Sequence, residues 1–287
     1  MAVSQISKRK FGPLIDEVAV IGQGTWEFER ADRSEAVRAL RQGIDLGMTH
    51  LDTAEMYGAG QAEEIVSEAI AGRRDELFLV SKVLPSNASR AGTIAACEKS
   101  LRRLKTDRLD CYLLHWRGQY KLSDTIAAFE QLQRDGKIVS WGVSNFDVDD
   151  LDEALEIACK GKIACNQVLY HLQERAIEHA VIPWCERHDV AVVGYSPFGS
   201  RGGFPAASSS GYKTLKEIAD THSATVHQVA LSFLTRRASL FAIPKAAKPS
   251  HADDNARSAN LRLSDEDIVR IDRAFPLGKK PSSLPMI

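Results

Sequence analysis

Short β-rich runs alternate with helical patterns from Val18 to the C-terminus, and few architectures accept that rhythm. Eight runs read as strands: Val18–Gly22, Thr49–Asp52, Leu77–Lys82, Leu109–His115, Ile138–Val143, Cys165–Leu169, Val190–Tyr195 and Leu240–Ile243. Between them, apolar residues recur at helical spacing, as in Ala36, Val37, Leu40 and Ile44, or Ala62, Ile65, Val66 and Ala69, so each helix presents one stripe inward. The pattern continues through Ile126, Phe129 and Leu132, then Leu151, Leu155 and Ala158, then Ile177, Val181 and Trp184, then Val226, Val229 and Phe233. Ser264-Asp265-Glu266-Asp267 opens a last helix in the manner of a capping box. Gly47, Gly72, Gly136 and Gly161 stand where helices should stop. Upstream, Gly12-Pro13 marks a turn within Lys8–Val18, which reads as a hairpin closing one end of the fold.

Eight parallel strands with intervening helices form either an open doubly wound sheet or a closed barrel. The chain has 287 residues. At about 150 residues per domain that suggests two domains, but one α/β barrel typically needs about 250. The glycine-rich turn discriminates. An open dinucleotide-binding sheet places G-x-G-x-x-G between its first strand and a helix, whereas Gly22-Gln23-Gly24 is followed by Thr25-Trp26-Glu27 and the helical pattern waits until about Ser34. The expected fold is therefore α/β, a (β/α)8 TIM barrel forming a single domain over residues 1–287.

Charge narrows the partners. There are 37 Lys+Arg against 38 Asp+Glu, a net charge of −1, and the basic residues are scattered. A polyanion or an anionic membrane recruits a concentrated positive field, so neither nucleic acid nor membrane is expected as a partner. No apolar run approaches the roughly 18 residues of a membrane span, and Met1–Lys10 lacks the apolar centre of a signal peptide, which points to the cytoplasm. Cys97, Cys111, Cys159, Cys165 and Cys185 are odd in number and form no CxxC pair, as core fillers in a reducing compartment would.

In a barrel of this kind the reactive groups lie at the C-terminal ends of the strands. The apolar runs end there in Asp52, Lys82, His115, Ser144-Asn145, Asn166-Gln167, Tyr195 and Lys245. Asp52, Lys82 and His115 come from consecutive strands, and Tyr57 lies five residues past Asp52. Together they compose a proton donor rather than a nucleophile or a metal cage. A lysine ammonium about 4 Å from a phenol favours phenolate by about 4 kcal/mol at an effective dielectric of ~20, roughly 3 pKa units, which would bring Tyr57 toward neutrality. Asp52 would hold Lys82 charged, and His115 would orient a carbonyl oxygen against Tyr57.

This set, with GQGTW at Gly22–Trp26, DTAEMYG at Asp52–Gly58, SNF at Ser144–Phe146, NQV at Asn166–Val168, YSPF at Tyr195–Phe198 and IPK at Ile243–Lys245, resembles the aldo-keto reductase superfamily from about Val18 to Phe275. Within it, DTAEMYG, LLHW and IPKAA look like bacterial reductases of the methylglyoxal reductase type. The resemblance implies a barrel that binds NADP(H) without a Rossmann fold and passes hydride to an aldehyde or ketone. It maps the catalytic set onto Asp52, Tyr57, Lys82 and His115. It assigns Ser144, Asn145 and Gln167 to the nicotinamide carboxamide, and Tyr195 to a stack on the nicotinamide ring. Gly24, Thr25 and Trp26 also fall at the cofactor. The Gly/Ser/Pro-rich loop Ser196–Gly211 would fold over the pyrophosphate through Ser196, Pro197, Phe198, Ser200 and Arg201. The segment with Ile243, Pro244, Lys245, Ala246, His251, Asp254 and Asn255 would read the adenosine 2′-phosphate and adenine. Ala246 stands where serine is usual and His251 where arginine is usual, leaving Lys245 and Lys248 to favour NADPH over NADH. Trp26, Tyr57, His115 and Trp116 are the expected substrate contacts. The short loop Trp116–Leu122 and the tail after Phe275 imply an open site for small aldehydes. The resemblance suggests methylglyoxal or similar 2-oxoaldehydes, and a compact barrel is expected to be a monomer.

Two other readings compete. One is a cofactor-binding regulatory subunit with weak or no turnover, against which the intact Tyr57–Lys82–His115 set argues. The other is a metal-dependent barrel hydrolase. The chain has eight histidines, but neither H-x-H nor HExxH occurs, and His50-Leu51-Asp52 is the one close His/acid pair in a strand.

Overall fold

The structure is a computed structural model that describes residues 6–200 and 202–287; Arg201, expected at the loop over the cofactor, lies outside the described residues. A hairpin comes first, β1 (Lys8–Lys10) pairing antiparallel with β2 (Glu17–Ala19). The alternation then unrolls as β3 (Gln23–Gly24), α1 (Arg33–Asp45), β4 (His50–Asp52), α2 (Gln61–Ala69), β5 (Phe78–Val83) and α3 (Arg90–Leu104). It continues with β6 (Leu109–Leu114), α4 (Leu122–Arg134), β7 (Ile138–Ser144), α5 (Val148–Ala158), β8 (Ile163–Leu169) and α6 (Val181–His188). The last units are β9 (Ala191–Tyr195), α7 (Ser210–Thr221), α8 (Val226–Leu234), β10 (Leu240–Ile243), α9 (Pro249–Ser258) and α10 (Asp265–Ala274).

Strands β3 to β10 lie side by side in chain order, each parallel to the next. The ring closes where Ile21 and Gly24 bridge to Ala242 and Lys245, with Gly22 N–H donating to Ala242 O at 2.8 Å and Gly24 N–H to Pro244 O at 3.1 Å. The chain is a (β/α)8 barrel. The two glycines of GQG have a steric task in this closure: a Cβ on Gly24 would lie 2.6 Å from Ile243 O, and one on Gly22 would lie 2.7 Å from His50 O.

The first strand differs from the expected Val18–Gly22. Glu17–Ala19 belongs to the hairpin and the barrel strand is formed further on, by Ile21 and Gln23–Gly24. Val18, Val20 and Ile21 are all buried, so hydropathy marks no border between hairpin and barrel. The hairpin at Gly12-Pro13 is as expected, and its Phe11 plugs the barrel floor. That ring lies 4.9 Å from Phe78, 5.0 Å from Phe241 and 5.7 Å from His50. Above it the interior fills with Val80, Cys111, Leu113, Cys165 and Val193.

Helices α3, α7 and α9 add to the expected set, although Leu215, Ile218 and Ala219 give α7 a buried stripe at helical spacing. Helix α3 buries Thr93, Ala96, Cys97 and Ser100 beside two leucines, and α9 buries Ala252, Asn255, Ala256 and Ser258, stripes of small side chains with little hydropathic contrast. The loop after β9 consequently ends at Ser209, whose side chain caps α7, rather than at Gly211. Ser264 and Asp267 form the expected capping box of α10, and the four glycines placed at helix ends all have positive φ. Four cysteines are buried core fillers; Cys159 departs from that expectation, standing exposed just past α5.

Truncating the floor plug tests this packing. Phe11→Ala should lower stability by about 3–5 kcal/mol, read as a fall in the urea midpoint with an unchanged slope.

Candidate active site

The C-terminal ends of β4, β5 and β6 carry Asp52, Lys82 and His115 to the same side of the barrel mouth. Period-two alternation turns Lys82 inward, where it is fully buried. Its ammonium donates to Asp52 Oδ1 at 2.5 Å, to Thr53 O at 2.8 Å and to Tyr57 Oη at 3.2 Å. Gln167 Nε2 donates to the other Asp52 oxygen at 2.7 Å. Every donor of the ammonium is therefore used, and both carboxylate oxygens are bonded. Burial opposes the charge of Lys82, but Asp52 and Tyr57 outweigh it, so its pKa is raised.

Tyr57 reaches the pair from a tight turn, Tyr57–Gly60, after β4. Burial raises its pKa above the ordinary phenol value and Asp52 adds to the rise, against the pull of Lys82. This corrects the expected shift toward neutrality. The phenol faces a lysine already neutralised by a carboxylate 2.5 Å away, hence a dipole in a dry site rather than an isolated cation. Tyr57 stays protonated at neutral pH. His115 stands edge-on to it with ring centroids 5.7 Å apart, and burial, then Lys82, pushes its pKa down to about 2, so the imidazole is neutral.

Beside these groups β7 and β8 end in a connected amide set. Ser144 Oγ donates to Gln167 O at 2.8 Å, Asn145 Nδ2 donates to His115 O at 3.1 Å, and Tyr195 Oη donates to Asn145 Oδ1 at 2.8 Å. Asn145 adopts a left-handed backbone, which an Asn tolerates better than most residues. Asn166, next to Gln167, faces the other way and pairs its amide with Phe146 backbone at 2.9 Å.

All this opens into a cavity of about 530 Å³. Its wall holds Asp52, Tyr57, His115 and Trp116 on one flank, and Gly24, Thr25 and Trp26 on the next. Ser144, Asn145, Gln167 and Tyr195 contribute a third part, and Ser196, Pro197, Phe198 and Ser200 a fourth, with Ile243 and Lys245 beyond. Lys82 lies behind the wall. Pro244, Ala246, His251, Asp254 and Asn255 do not line the cavity. Pro244 accepts the closing bond from Gly24, Ala246 belongs to a buried apolar cluster with Ala252 and Ala256, and Asp254 accepts from Gln228 Nε2 at 2.7 Å and from Thr225 Oγ1 at 3.1 Å, at the start of α8. Asn255 is buried on α9 and His251 is exposed there.

Sequence reasoning passed over Glu27, Met56, Gly199, Met286 and Ile287, which also line the cavity. Met56 sits inside the DTAEMYG motif and was within reach. The two tail residues had no local signal, because only the folded path of the chain brings them back over the barrel mouth, where the tail was expected to add little. Among the described residues no group of three His, Cys, Asp or Glu is arranged to hold a metal, and no helix is long and apolar enough to cross a membrane.

With the barrel and this constellation described, the comparison with known proteins is direct. The aldo/keto reductase family model matches residues 20–275. The chain belongs to the aldo/keto reductase family. It is 43% identical over 269 residues to methylglyoxal reductase YeaE of Escherichia coli (strain K12), covering 93% of this chain and 94% of that protein. It is 34% identical over 256 residues to glyoxal reductase of Bacillus subtilis (strain 168), covering 89% and 88% of the two chains. An aldo-keto reductase from Klebsiella pneumoniae crystallised with NADPH superimposes with a TM-score of 0.91 at 42% identity, covering 99% of this chain and 100% of that one.

The buried neutral histidines set an acid limit. His115 and His50, whose pKa burial lowers to about 3, stay uncharged in the fold. The unfolded chain binds their protons below about pH 6.5, so stability is lost as pH falls through that value, by up to about 1.4 kcal/mol per pH unit for each. Urea unfolding between pH 6 and pH 4 should show a shallower loss for His115→Gln than for wild type.

Proposed function

We propose that this aldo/keto reductase reduces small aldehydes and ketones to alcohols with NADPH, 2-oxoaldehydes such as methylglyoxal foremost, with Tyr57 as the general acid: R-CHO + NADPH + H⁺ gives R-CH₂OH + NADP⁺. The observation that carries this reading is the hydrogen bond from the Asp52-paired Lys82 ammonium to Tyr57 Oη at the cavity wall. The residues fit a nicotinamide dinucleotide: one cleft is lined by Asp52 and Tyr57, the amides, the Tyr195 ring and the part-exposed lysine Lys245. When bound, the reduced cofactor supplies the hydride.

The chain's own residues do the rest. Because Lys82 donates to the Tyr57 oxygen, the phenolic proton is left free to point into the cavity. A substrate carbonyl oxygen within reach of that proton accepts a hydrogen bond, and as negative charge grows on it the proton passes from Tyr57 Oη. The phenolate that remains is stabilised by Lys82, and Asp52 keeps Lys82 in position. His115, neutral, offers its N–H to the same carbonyl oxygen without competing as an acid. Asn145, Ser144 and Gln167 would hold the carboxamide end of the cofactor, and Tyr195 would contact its ring. Trp26 and Trp116 exclude water around a small carbonyl substrate.

NADPH oxidation with methylglyoxal, followed by loss of near-ultraviolet absorbance, tests the assignment. Tyr57→Phe should lower kcat by about 10²–10⁴ while leaving NADPH binding intact. Full activity in Tyr57→Phe overturns the acid, and wild type that binds NADPH without turning over any of several aldehydes favours a regulatory subunit. The raised pKa of Tyr57 gives a second expectation: kcat/KM should not fall through loss of the acid's proton until pH exceeds about 10, the ordinary phenol value.

A further inference from the structure

Besides Asp52, one acidic side chain lines the cavity among the described residues, and it stands beside the cleft's outer lysine. Glu27 follows Trp26 in a left-handed backbone conformation, φ 60 and ψ 26, uncommon for a residue with a Cβ. The turn built on it, with Phe28 N–H donating to Thr25 O and Arg30 N–H to Glu27 O, both at 3.2 Å, brings the residue next to Lys245. Glu27 Oε2 is 3.9 Å from Lys245 Nζ, and the same ammonium donates to Glu27 O at 3.4 Å. The other carboxylate oxygen accepts from Arg30 Nη1 at 2.7 Å. Lys245 is thus paired with Glu27 across the seam where the Gly24–Lys245 bridge closes the barrel.

We propose that Glu27 is a positioning residue that sets the cleft's preference between phosphorylated and unphosphorylated dinucleotides, by competing with the cofactor's additional phosphate for Lys245. The proposal rests on the reading of this cleft as the NADP(H) site. A phosphate dianion takes Lys245 away from Glu27, whereas a dinucleotide lacking that group leaves the pair in place. The exchange is feasible on three grounds. The pair is solvent-accessible, with side chains 38% and 32% exposed, so it is weakly held. Its separation of 3.9 Å falls short of hydrogen-bond contact. Arg30 remains bonded to Glu27 after Lys245 departs, so no carboxylate is stranded. Glu27 therefore restrains a preference for NADPH that Lys245 would otherwise express in full.

The test reads dissociation constants rather than turnover, by quenching of tryptophan fluorescence on titration with NADPH and with NADH. Wild type, E27Q, K245A and the double variant E27Q/K245A form one cycle. E27Q should tighten NADPH by about two- to fivefold, the size of an exposed ion pair, and leave NADH unchanged. The gain should vanish in the K245A background. Unchanged or weaker NADPH binding by E27Q overturns the proposal, as does an equal gain for both cofactors or a gain that survives in K245A. Unaltered NADH binding reports an intact cleft, and Glu27→Ser should shift the ratio the same way, so the outcome does not hang on one replacement. Wild type that binds neither cofactor overturns the reading of the cleft and this proposal with it. NADPH binding with an unmoved ratio in E27Q overturns the role of Glu27 alone.

Discussion

A charged lysine and a charged aspartate sit side by side inside this barrel, and the arrangement around them follows from that pair. Two ions removed from water carry a penalty of several kcal/mol each unless every bond they need is supplied. Here Asp52, Thr53 O and Tyr57 Oη take the three donors of Lys82, and Gln167 completes Asp52. Those partners come from β4, the turn after it, β5 and β8, so the pair can exist only when the barrel has closed. The opposite end of the barrel has no such demand and is filled by Phe11, Phe78 and Phe241.

The pair also governs the groups beside it. Burial, with Asp52 beside Lys82 adding to it, keeps the proton on Tyr57 and its pKa above the usual phenol value, and burial keeps His115 uncharged. The site is therefore a neutral donor surface facing the cavity, backed by an ion pair behind the wall. Such an arrangement favours charge that appears during a reaction over charge already present on a resting ligand, since the Lys82 dipole does its stabilising when the oxygen of Tyr57 becomes negative.

Further along the cleft the electrostatics change character. Lys245 and Glu27 are exposed enough for water to screen them, and their separation leaves the lysine available for exchange. One cleft thus joins a dry end, where protonation states are held by burial, to a wet end, where partners can be swapped. The end of β9 and the loop after it contribute to the same cleft through Tyr195, Phe198 and Ser200.

The alternation of strands and helices was legible in the sequence because each element buries one face, and the strand ends were legible because Asp52, Lys82 and His115 interrupt apolar runs. The short motifs around Tyr57, Asn145, Gln167 and Tyr195 were enough to point to the family. What the sequence could not carry was set by contacts between distant residues. The start of the first barrel strand depended on Ile21 bridging to Ala242, and α3 and α9 pack largely through small side chains that leave little hydropathic contrast. The acidity of Tyr57 was misjudged from Lys82 alone, because the nearness of Asp52 and the loss of water around the phenol are properties of the closed barrel. Asp254, which motif reasoning assigned to adenine, is held by Gln228 and Thr225 at the start of α8. The sequence by itself determined which chemical groups this protein possesses and roughly which end of a barrel they occupy. Only the tertiary structure decided which of them touch, and so which protons they hold, because interactions between charged groups depend on distances and burial that exist only once β3 has closed against β10.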